Sequence, residues 1–339
     1  MLPQELIRDH YPTLLHPGQS LTVEPATPGF SGARVFRAEI DGAAFCVRQW
    51  PSAMPKDRLR AIHRLLAHVQ RTSGAATPVP VSAADGATTV ELSGHSWQVE
   101  PWLPGKALTA DELTEDRLHA AMRGIAKWHL SAGEYTPPRT DTEWLLRAHD
   151  DVSPTIADRL RTLAGWRDDF EAAEHRLLHE ADNSFRELGQ RVTTFARLLI
   201  EPIGQELQQI EKHSVRLQPC IRDLWSDHLL FTGDELTGVI DFGAVRTDSV
   251  ACDLSRLLGS LFEDDSTKWN AALDIYAAVR PLSEAEQQLL RPLDRSNVLL
   301  SGLTWLRRRW EGRIDEAQLP RVVDRMEAIV RRLEHLAGW

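Results

Sequence analysis

Residues 219–258 read PCIRDLWSDHLLFTGDELTGVIDFGAVRTDSVACDLSRLL, and this stretch decides the fold. Two short strand-like segments, 228–231 and 236–240, flank a Thr-Gly-Asp-Glu turn sequence and predict a β-hairpin. Asp223 lies in the loop before the hairpin, and Asp241 follows it, eighteen positions later. A hairpin of this length brings the two carboxylates into one small volume.

Two carboxylates in this arrangement suit the transfer of a phosphoryl group. Such a reaction needs a base that orients the attacking hydroxyl, and oxygen ligands that hold magnesium against the nucleotide phosphates. The chain offers Arg222-Asp223, then Asp241-Phe242-Gly243, then Asp253-Leu254-Ser255. A lone Asp-Phe-Gly is often only a turn after a strand. Three such motifs in order around a predicted hairpin are far more specific.

This segment resembles the catalytic core of the aminoglycoside phosphotransferase and choline kinase superfamily, which shares the protein-kinase fold. The resemblance implies that Asp223 is the catalytic base and Asp241 a metal ligand. It implies that Asp253 is a structural aspartate that steadies the catalytic loop. It also implies ATP or GTP, with magnesium or manganese, and a small hydroxyl-bearing acceptor. The resemblance covers roughly residues 20–310 and is strong only in 219–258.

A glycine-containing loop resembles the part of the family that covers the phosphates. Residues 28–36, PGFSGARVF, fall between the first two predicted strands. Gly29 and Gly32 would let backbone N–H groups approach phosphate oxygens, and Ser31 could add a hydroxyl donor. Without the resemblance this stretch is equally well read as an ordinary glycine turn.

Two further stretches match nucleotide-binding parts of the family. Arg48 ends the third predicted strand, where the family keeps a phosphate-binding lysine. Residues 98–105, QVEPWLPG, resemble the connector between lobes, whose backbone takes the adenine edge. Glu100 and Trp102 of this connector are therefore candidate nucleotide-binding residues.

Two departures from the family pattern concern the phosphates and the metal. Arg48 keeps the positive charge of lysine but is bulkier and planar, and the predicted helix 56–71 has only Asp57 as an acidic residue to pair with it. His228 replaces the asparagine that normally holds a second metal ion, and imidazole suits manganese or zinc better than magnesium. The role of His228 is therefore either an unusual metal ligand or a hydrogen-bond donor to Asp223.

The remaining sequence predicts an α+β fold of two lobes. Short strand-like segments fill residues 21–103, interrupted by the helix at 56–71, and helical periodicity dominates after Pro104-Gly105. We therefore expect a small antiparallel nucleotide-binding lobe at 1–103 and a large helical lobe at 104–339 with the catalytic loop and acceptor site. Within the second lobe, helical patterns cover 153–164, 168–181, 183–213 and 252–339, with a break at 217–219.

Composition excludes several classes of protein. The net charge of −10 disfavours nucleic acid as a partner, although it is compatible with a cationic acceptor such as an amino sugar. No apolar run approaches the roughly 20 residues of a membrane span, and the N-terminus does not have the pattern of a secretory signal. The three cysteines, Cys46, Cys220 and Cys252, are far apart and fit reduced thiols in the cytoplasm.

The sequence thus predicts a kinase that moves the terminal phosphoryl group of a nucleotide to a hydroxyl of a small metabolite, amino sugar or amino alcohol. One alternative is a pseudokinase that binds nucleotide with little turnover because of the changes at Arg48 and His228. The presence of both Asp223 and Asp241 argues against that alternative. A protein kinase of this fold is disfavoured, since no Ala-Pro-Glu follows and the segment before Asp253 is too short for an activation loop.

Overall fold

The computed structural model describes residues 2–16, 18–26, 29–30 and 32–338, and its secondary structure is rich in both helices and strands. The strands in this part of the chain are β1 Leu21–Pro25, β2 Arg34–Ile40, β3 Ala43–Gln49, β4 Val90–Leu92, β5 His95–Pro101, β6 Lys106–Ala107, β7 His149–Val152, β8 Ser214–Cys220, β9 Leu229–Thr232, β10 Glu235–Val239 and β11 Arg246–Ser249. The α-helices are α1 Pro3–His10, α2 Lys56–Ser73, α3 Glu115–Glu134, α4 Pro154–Leu178, α5 Asn183–Ile210, α6 Ala251–Phe262, α7 Ser266–Ala277, α8 Glu284–Trp310 and α9 Leu319–Leu336.

The first five strands form one antiparallel sheet in the order β1-β2-β3-β5-β4. In the central pair, Val47 lies opposite Val99 and Arg48 lies opposite Gln98. Because successive side chains of a strand point to opposite faces, the two pairs face opposite ways. Val47 and Val99 are fully buried with Ile7 of α1 in the apolar core, and Arg48 and Gln98 are left on the second face.

The predicted hairpin is confirmed: β9 and β10 pair antiparallel around the expected turn. Strand β6 pairs with β9 and completes a small sheet in the order β10-β9-β6. Gly105, just before β6, has φ +98°, and a Cβ there would lie 2.6 Å from the carbonyl oxygen of Phe231. Only glycine allows the chain to approach the hairpin so closely.

A third sheet, in the order β11-β8-β7, was not predicted from the sequence. Strand β8 covers the place where the pattern indicated only a break after a long helix. Its apolar alternation is short, with the exposed Ser214 and Arg216 alternating with the buried Val215 and Leu217, and Pro219 lies near its end. So few alternating residues carry too weak a signal for a strand.

The prediction of two helical segments at 153–164 and 168–181 was wrong, since α4 is one continuous helix of 25 residues. Gly165 lies between the two predicted segments, but a Cβ there would meet nothing within 4 Å, and Trp166 continues the buried stripe with 2% exposure. A glycine weakens a helix by roughly 1 kcal/mol but does not end it. Tertiary burial of the tryptophan outweighs that cost.

The helices of the second unit, defined below, enclose a buried ionic cluster. Nη2 of Arg332 in α9 lies 2.7 Å from Oδ2 of Asp294 in α8 and 3.0 Å from Oδ1 of Asp264. Gly259 of α6 leaves no room for a Cβ beside the Asp294 carboxylate. These contacts tie α6, α8 and α9 together within this unit.

The chain divides into two compact units. The first contains the chain up to Ala148 with Gln218–Thr247 and Ala271–Pro281, and the second contains His149–Leu217, Asp248–Asn270 and the chain from Leu282 onward. The predicted lobe boundary between residues 103 and 104 stays a prediction. The α+β class, with a small antiparallel sheet followed by a larger helical part, is confirmed. No helix in the described ranges is long and apolar enough to cross a membrane.

Candidate active site

The site is built around Arg48, which β3 places on the second face of the large sheet. Its Nη2 donates a hydrogen bond of 3.3 Å to Oε1 of Glu100 on β5. Its Nη1 lies 3.7 Å from Oδ1 of Asp241, an ion pair too long for a hydrogen bond. Burial lowers the pKa of Arg48, but Glu100, Cys46 and Asp241 together outweigh burial and the pKa is raised. Arg48 therefore stays charged between two carboxylates.

Asp241 stands directly after the hairpin, in a left-handed backbone conformation with φ +65°. Its carboxylate is one-third exposed, so its oxygens are accessible to a ligand. The loop after it is held by Arg58 of α2, whose Nη2 donates to the carbonyl oxygen of Gly243 at 3.0 Å. Gly243 also needs to lack a side chain, because a Cβ would lie 2.9 Å from the ring of Trp50.

Asp223 lies in the loop between β8 and β9 and is half-buried. Arg222, just before it, has φ +71°. A left-handed conformation costs a residue other than glycine roughly 1–3 kcal/mol, and such strain concentrates at functional sites. The loop then makes a 3₁₀ turn at Ser226–His228, which returns the chain toward Asp223.

His228 lies close to both this loop and Asp241. Its Nδ1 is 2.7 Å from the carbonyl oxygen of Asp223, and its Nε2 accepts a hydrogen bond of 2.9 Å from Nε1 of Trp225. A carbonyl only accepts and an indole N–H only donates, so the ring is neutral with its proton on Nδ1. Nε2 also lies 3.8 Å from Oδ2 of Asp241, but its lone pair faces the indole.

One small cavity brings together three of the predicted site residues, Arg48, Glu100 and Asp241. Within the described part of the chain, the other predicted residues do not line it. Asp223 and His228 adjoin it only through the contacts above. The predicted nucleotide-binding residues Gly29, Gly32 and Trp102 are described by the structure but do not line this cavity.

The predicted phosphate loop is described only in part. Gly32 has φ +77°, a conformation that favours glycine, and no atom would lie within 4 Å of a Cβ at Gly29. The loop therefore leaves open space at Gly29. Ser31, the predicted hydroxyl donor, lies outside the described residues.

Glu100 and Trp102 differ in their surroundings, although both were predicted to bind nucleotide. Glu100 is a strand residue of β5 and only 5% exposed. Its carboxylate accepts a hydrogen bond from Arg48. Trp102 is 39% exposed, and the guanidinium of Arg37 lies 5.7 Å from its ring centre. Its backbone N–H donates to the carbonyl oxygen of Ala44, while the ring offers an accessible aromatic face.

Four residues around Arg48 were missed as site residues by reasoning from the sequence. They are Trp50, Arg58, His63 and Gln98. Alternation in β5 could have indicated Gln98 and Glu100, since both fall on the face opposite Val99. No sequence pattern indicated Arg58 and His63, which α2 contributes.

A metal ion at this site would have few protein ligands. Among the described residues, no group of three or more His, Cys, Asp or Glu side chains is placed to hold one. Magnesium in nucleotide-dependent enzymes is bound through one or two carboxylates plus the substrate phosphates. The accessible carboxylate of Asp241 fits that requirement.

Residues 22–293 match the model of the family described as the phosphotransferase enzyme family. The chain belongs to this family. The side chain of Asp253 is fully buried in α6 of the second unit. Its predicted role in steadying the catalytic loop stays a prediction.

The relatives of this phosphotransferase include kinases of a small amino acid. Homoserine kinase of Xanthobacter autotrophicus is 27% identical over 314 residues, which cover 89% of this chain and 85% of that protein. Homoserine kinase of Agrobacterium fabrum is 29% identical over 241 residues, covering 69% of this chain and 64% of that protein.

Solved structures of antibiotic kinases share the fold. Spectinomycin phosphotransferase APH(9)-Ia in complex with ADP and spectinomycin matches with a TM-score of 0.65 at 14% identity, covering 97% of this chain and 95% of that one. Amicoumacin kinase hAmiN, in complex with AMP-PNP and Ca²⁺, matches with a TM-score of 0.61 at 14% identity, covering 98% and 93%. The predicted protein-kinase-like fold is thereby confirmed.

This phosphotransferase is a small-molecule kinase that acts on a hydroxyl group. The prediction of a phosphotransferase rather than a protein of another class is confirmed. None of these relatives supports the pseudokinase alternative.

Proposed function

We propose that the chain is an ATP- or GTP-dependent kinase, with magnesium as its metal, whose acceptor is a hydroxyl-bearing amino acid such as homoserine. The observation that carries the proposal is that Asp223 and Asp241 both lie close to His228. The histidine donates to the main-chain carbonyl of Asp223 at 2.7 Å, and its Nε2 lies 3.8 Å from the Asp241 carboxylate, with no hydrogen bond between them. A candidate base and a candidate metal ligand therefore lie near one another.

In the proposed reaction, Asp223 accepts a hydrogen bond from the acceptor hydroxyl and takes its proton. The hydroxyl oxygen forms a bond to the terminal phosphorus, while the bond from that phosphorus to the bridging oxygen breaks and the nucleoside diphosphate leaves. Arg48 places Nη1 3.7 Å from the Asp241 carboxylate, and this group can donate to a phosphate oxygen. Magnesium held by Asp241 would offset the charge of the phosphates.

The remaining site predictions are part of the same proposal. Gly29, Ser31 and Gly32 would cover the phosphates with backbone and hydroxyl donors. Trp102 would present its aromatic face to the purine ring of the nucleotide. His228 as a second metal ligand stays a prediction. Since an imidazole nitrogen has one lone pair, ligation through Nε2 requires the Trp225 hydrogen bond to break.

The choice of homoserine rests on the relatives. The homoserine kinase of Xanthobacter autotrophicus is similar over 89% of this chain, while the antibiotic kinases, at 14% identity, share the fold alone. A cytoplasmic location is part of the proposal, supported by three buried cysteines that form no disulfide bond in the described part of the chain. Burial raises the pKa of the Cys46 thiol beside Arg48, so this thiol stays protonated and unreactive.

The proposal is tested with purified protein, each of ATP and GTP, magnesium, and three acceptors: homoserine, serine and spectinomycin. Mass spectrometry detects a phosphate ester, and ³¹P NMR shows which oxygen carries the phosphorus. We expect phosphorylated homoserine and only traces from serine, whose hydroxyl is one methylene closer to the amino acid head group. Phosphorylated spectinomycin with unchanged homoserine would overturn the amino acid acceptor and indicate an amino sugar instead.

A further inference from the structure

The partner of Arg48 comes from a strand and not from helix α2. In the superfamily that the sequence resembles, the basic residue of the third strand pairs with a glutamate of the following helix, and here α2 offers none at that place. Arg48 is paired with Glu100 of β5 at 3.3 Å, and the two side chains are only 13% and 6% exposed. The structure assigns Glu100 as the positioning residue that holds Arg48 for the nucleotide phosphates, an assignment that rests on the proposed function.

The register between β3 and β5 explains why a residue of β5 can pair with Arg48. Arg48 lies opposite Gln98, and Cys46 lies opposite Glu100. All four side chains point to the same face because they are two residues apart on each strand. Arg48 and Glu100 are therefore diagonal neighbours, a spacing that long side chains bridge readily.

Glu100 is itself held by a chain of hydrogen bonds. Nε2 of Gln98 donates to Oε2 of Glu100 at 2.5 Å. Oε1 of Gln98 accepts from Nε1 of Trp50 at 2.7 Å and from Nε2 of His63 at 3.0 Å. An amide oxygen can only accept, so the proton of His63 is on Nε2, and its Nδ1 accepts from the hydroxyl of Thr88 at 2.7 Å.

The donor and the acceptor of each hydrogen bond between His63 and Glu100 are thus determined. His63 of α2 donates toward Gln98, and Gln98 donates toward the Glu100 carboxylate. Burial lowers the pKa of His63 to about 4, so the imidazole is neutral near pH 7 and its hydrogen bond keeps this direction. Helix α2 therefore acts on Arg48 through Gln98 and Glu100 and not through a carboxylate of the helix.

The charges show what Glu100 does for the metal ligand. Arg48 lies between Glu100 and Asp241, with the shorter contact to Glu100. If the charge of Glu100 is removed, Asp241 is the carboxylate left beside Arg48 in this site, and the guanidinium competes with a metal ion for it. Glu100 thus keeps the Asp241 carboxylate available.

The test compares Glu100→Gln with Glu91→Gln as a matched control. Gln keeps the shape of Glu and removes only the charge, and Glu91 on β4 forms an exposed ion pair with Lys56 at 3.3 Å. Affinity for Mg-ATP and Mg-GTP and the magnesium concentration for half-maximal binding are measured by thermal shift. We expect Glu100→Gln to weaken nucleotide binding roughly 10–100-fold, as for residues that orient metal ligands, with a higher magnesium requirement. Glu91→Gln should bind as the wild type does.

A double-variant cycle separates positioning from stability. If Glu100 acts through Arg48, adding Glu100→Gln to Arg48→Met should not weaken nucleotide binding further. Equal losses in both backgrounds, or a lower melting temperature with unchanged nucleotide affinity, would overturn the assignment. If Glu100→Gln does not fold, Glu100→Asp keeps the charge but retracts it by one methylene. Wild-type affinity in that variant would overturn the assignment equally.

Nucleotide binding does not depend on the acceptor, so this test is independent of which hydroxyl is phosphorylated. Failure to phosphorylate homoserine would overturn the proposed acceptor and leave the Glu100 result in force. A wild-type protein that binds neither nucleotide would overturn both proposals.

Discussion

The imidazole of His228 donates a hydrogen bond of 2.7 Å to the main-chain carbonyl oxygen of Asp223. The side chain of His228 is 11% exposed, so this bond is shielded from water and keeps the catalytic loop in place. The same ring accepts from Trp225 at 2.9 Å. His228, which replaces the asparagine of the family, thus makes two hydrogen bonds through its ring, one to Asp223 and one to Trp225.

His228→Asn separates a loop-holding histidine from a metal ligand. We expect the variant to lose roughly 0.5–1.5 kcal/mol of unfolding free energy, because the half-buried carbonyl of Asp223 loses a hydrogen-bond donor, and to keep the wild-type ranking of magnesium and manganese. Urea unfolding and activity with each metal are the measurements. A metal ligand predicts instead a manganese advantage in the wild type that shrinks in the variant.

Asp223→Asn should abolish transfer and spare nucleotide binding. Asn keeps the size of the side chain but cannot take the proton, and a positioned base contributes roughly 10²–10⁴ in rate. The measurements are turnover with the identified acceptor and the thermal shift with Mg-nucleotide. Wild-type turnover in this variant would show that Asp223 is not the base.

Asp241→Ala should act on nucleotide binding. Without the carboxylate, no local cation offsets the phosphate charges, so the stabilisation by Mg-nucleotide should disappear. Asp234→Ala is the matched control, since Asp234 stands in the turn of the same hairpin and pairs with Arg117 at 3.0 Å on the surface. If Mg-nucleotide stabilised both variants equally against thermal unfolding, Asp241 would be only a turn residue.

The buried His63 should give stability a pH dependence. Burial lowers its pKa to about 4 in the folded protein, whereas an exposed histidine has about 6.5. The unfolded chain therefore binds more protons between these values, and the stabilisation present above pH 6.5 is lost as the pH falls toward 4. We expect the stability of the wild type relative to His63→Gln to fall by about 3 kcal/mol from pH 7 to pH 4. A difference that stays constant in urea unfolding at both pH values would contradict the lowered pKa.

Much of the fold was predictable because its signals are local. The β9–β10 hairpin, helix α2 and the strands of the large sheet follow from apolar periodicity and turn residues within short windows. Strand β8 and the continuity of α4 did not, since both depend on burial of Val215 and Trp166 by elements distant in the chain. Local patterns carry no information on such burial.

The sequence by itself determined the order and spacing of Asp223, Asp241 and Asp253, because a hairpin of given length dictates where its flanking residues lie. Those positions sufficed to predict the phosphotransferase chemistry. Only the tertiary structure decided that Glu100 is the partner of Arg48 and that the proton of His228 is on Nδ1. Pairing of β3 with β5 joins residues about fifty positions apart, and a tautomer is set by the neighbours that surround the ring. Neither is a property of any short segment of the chain.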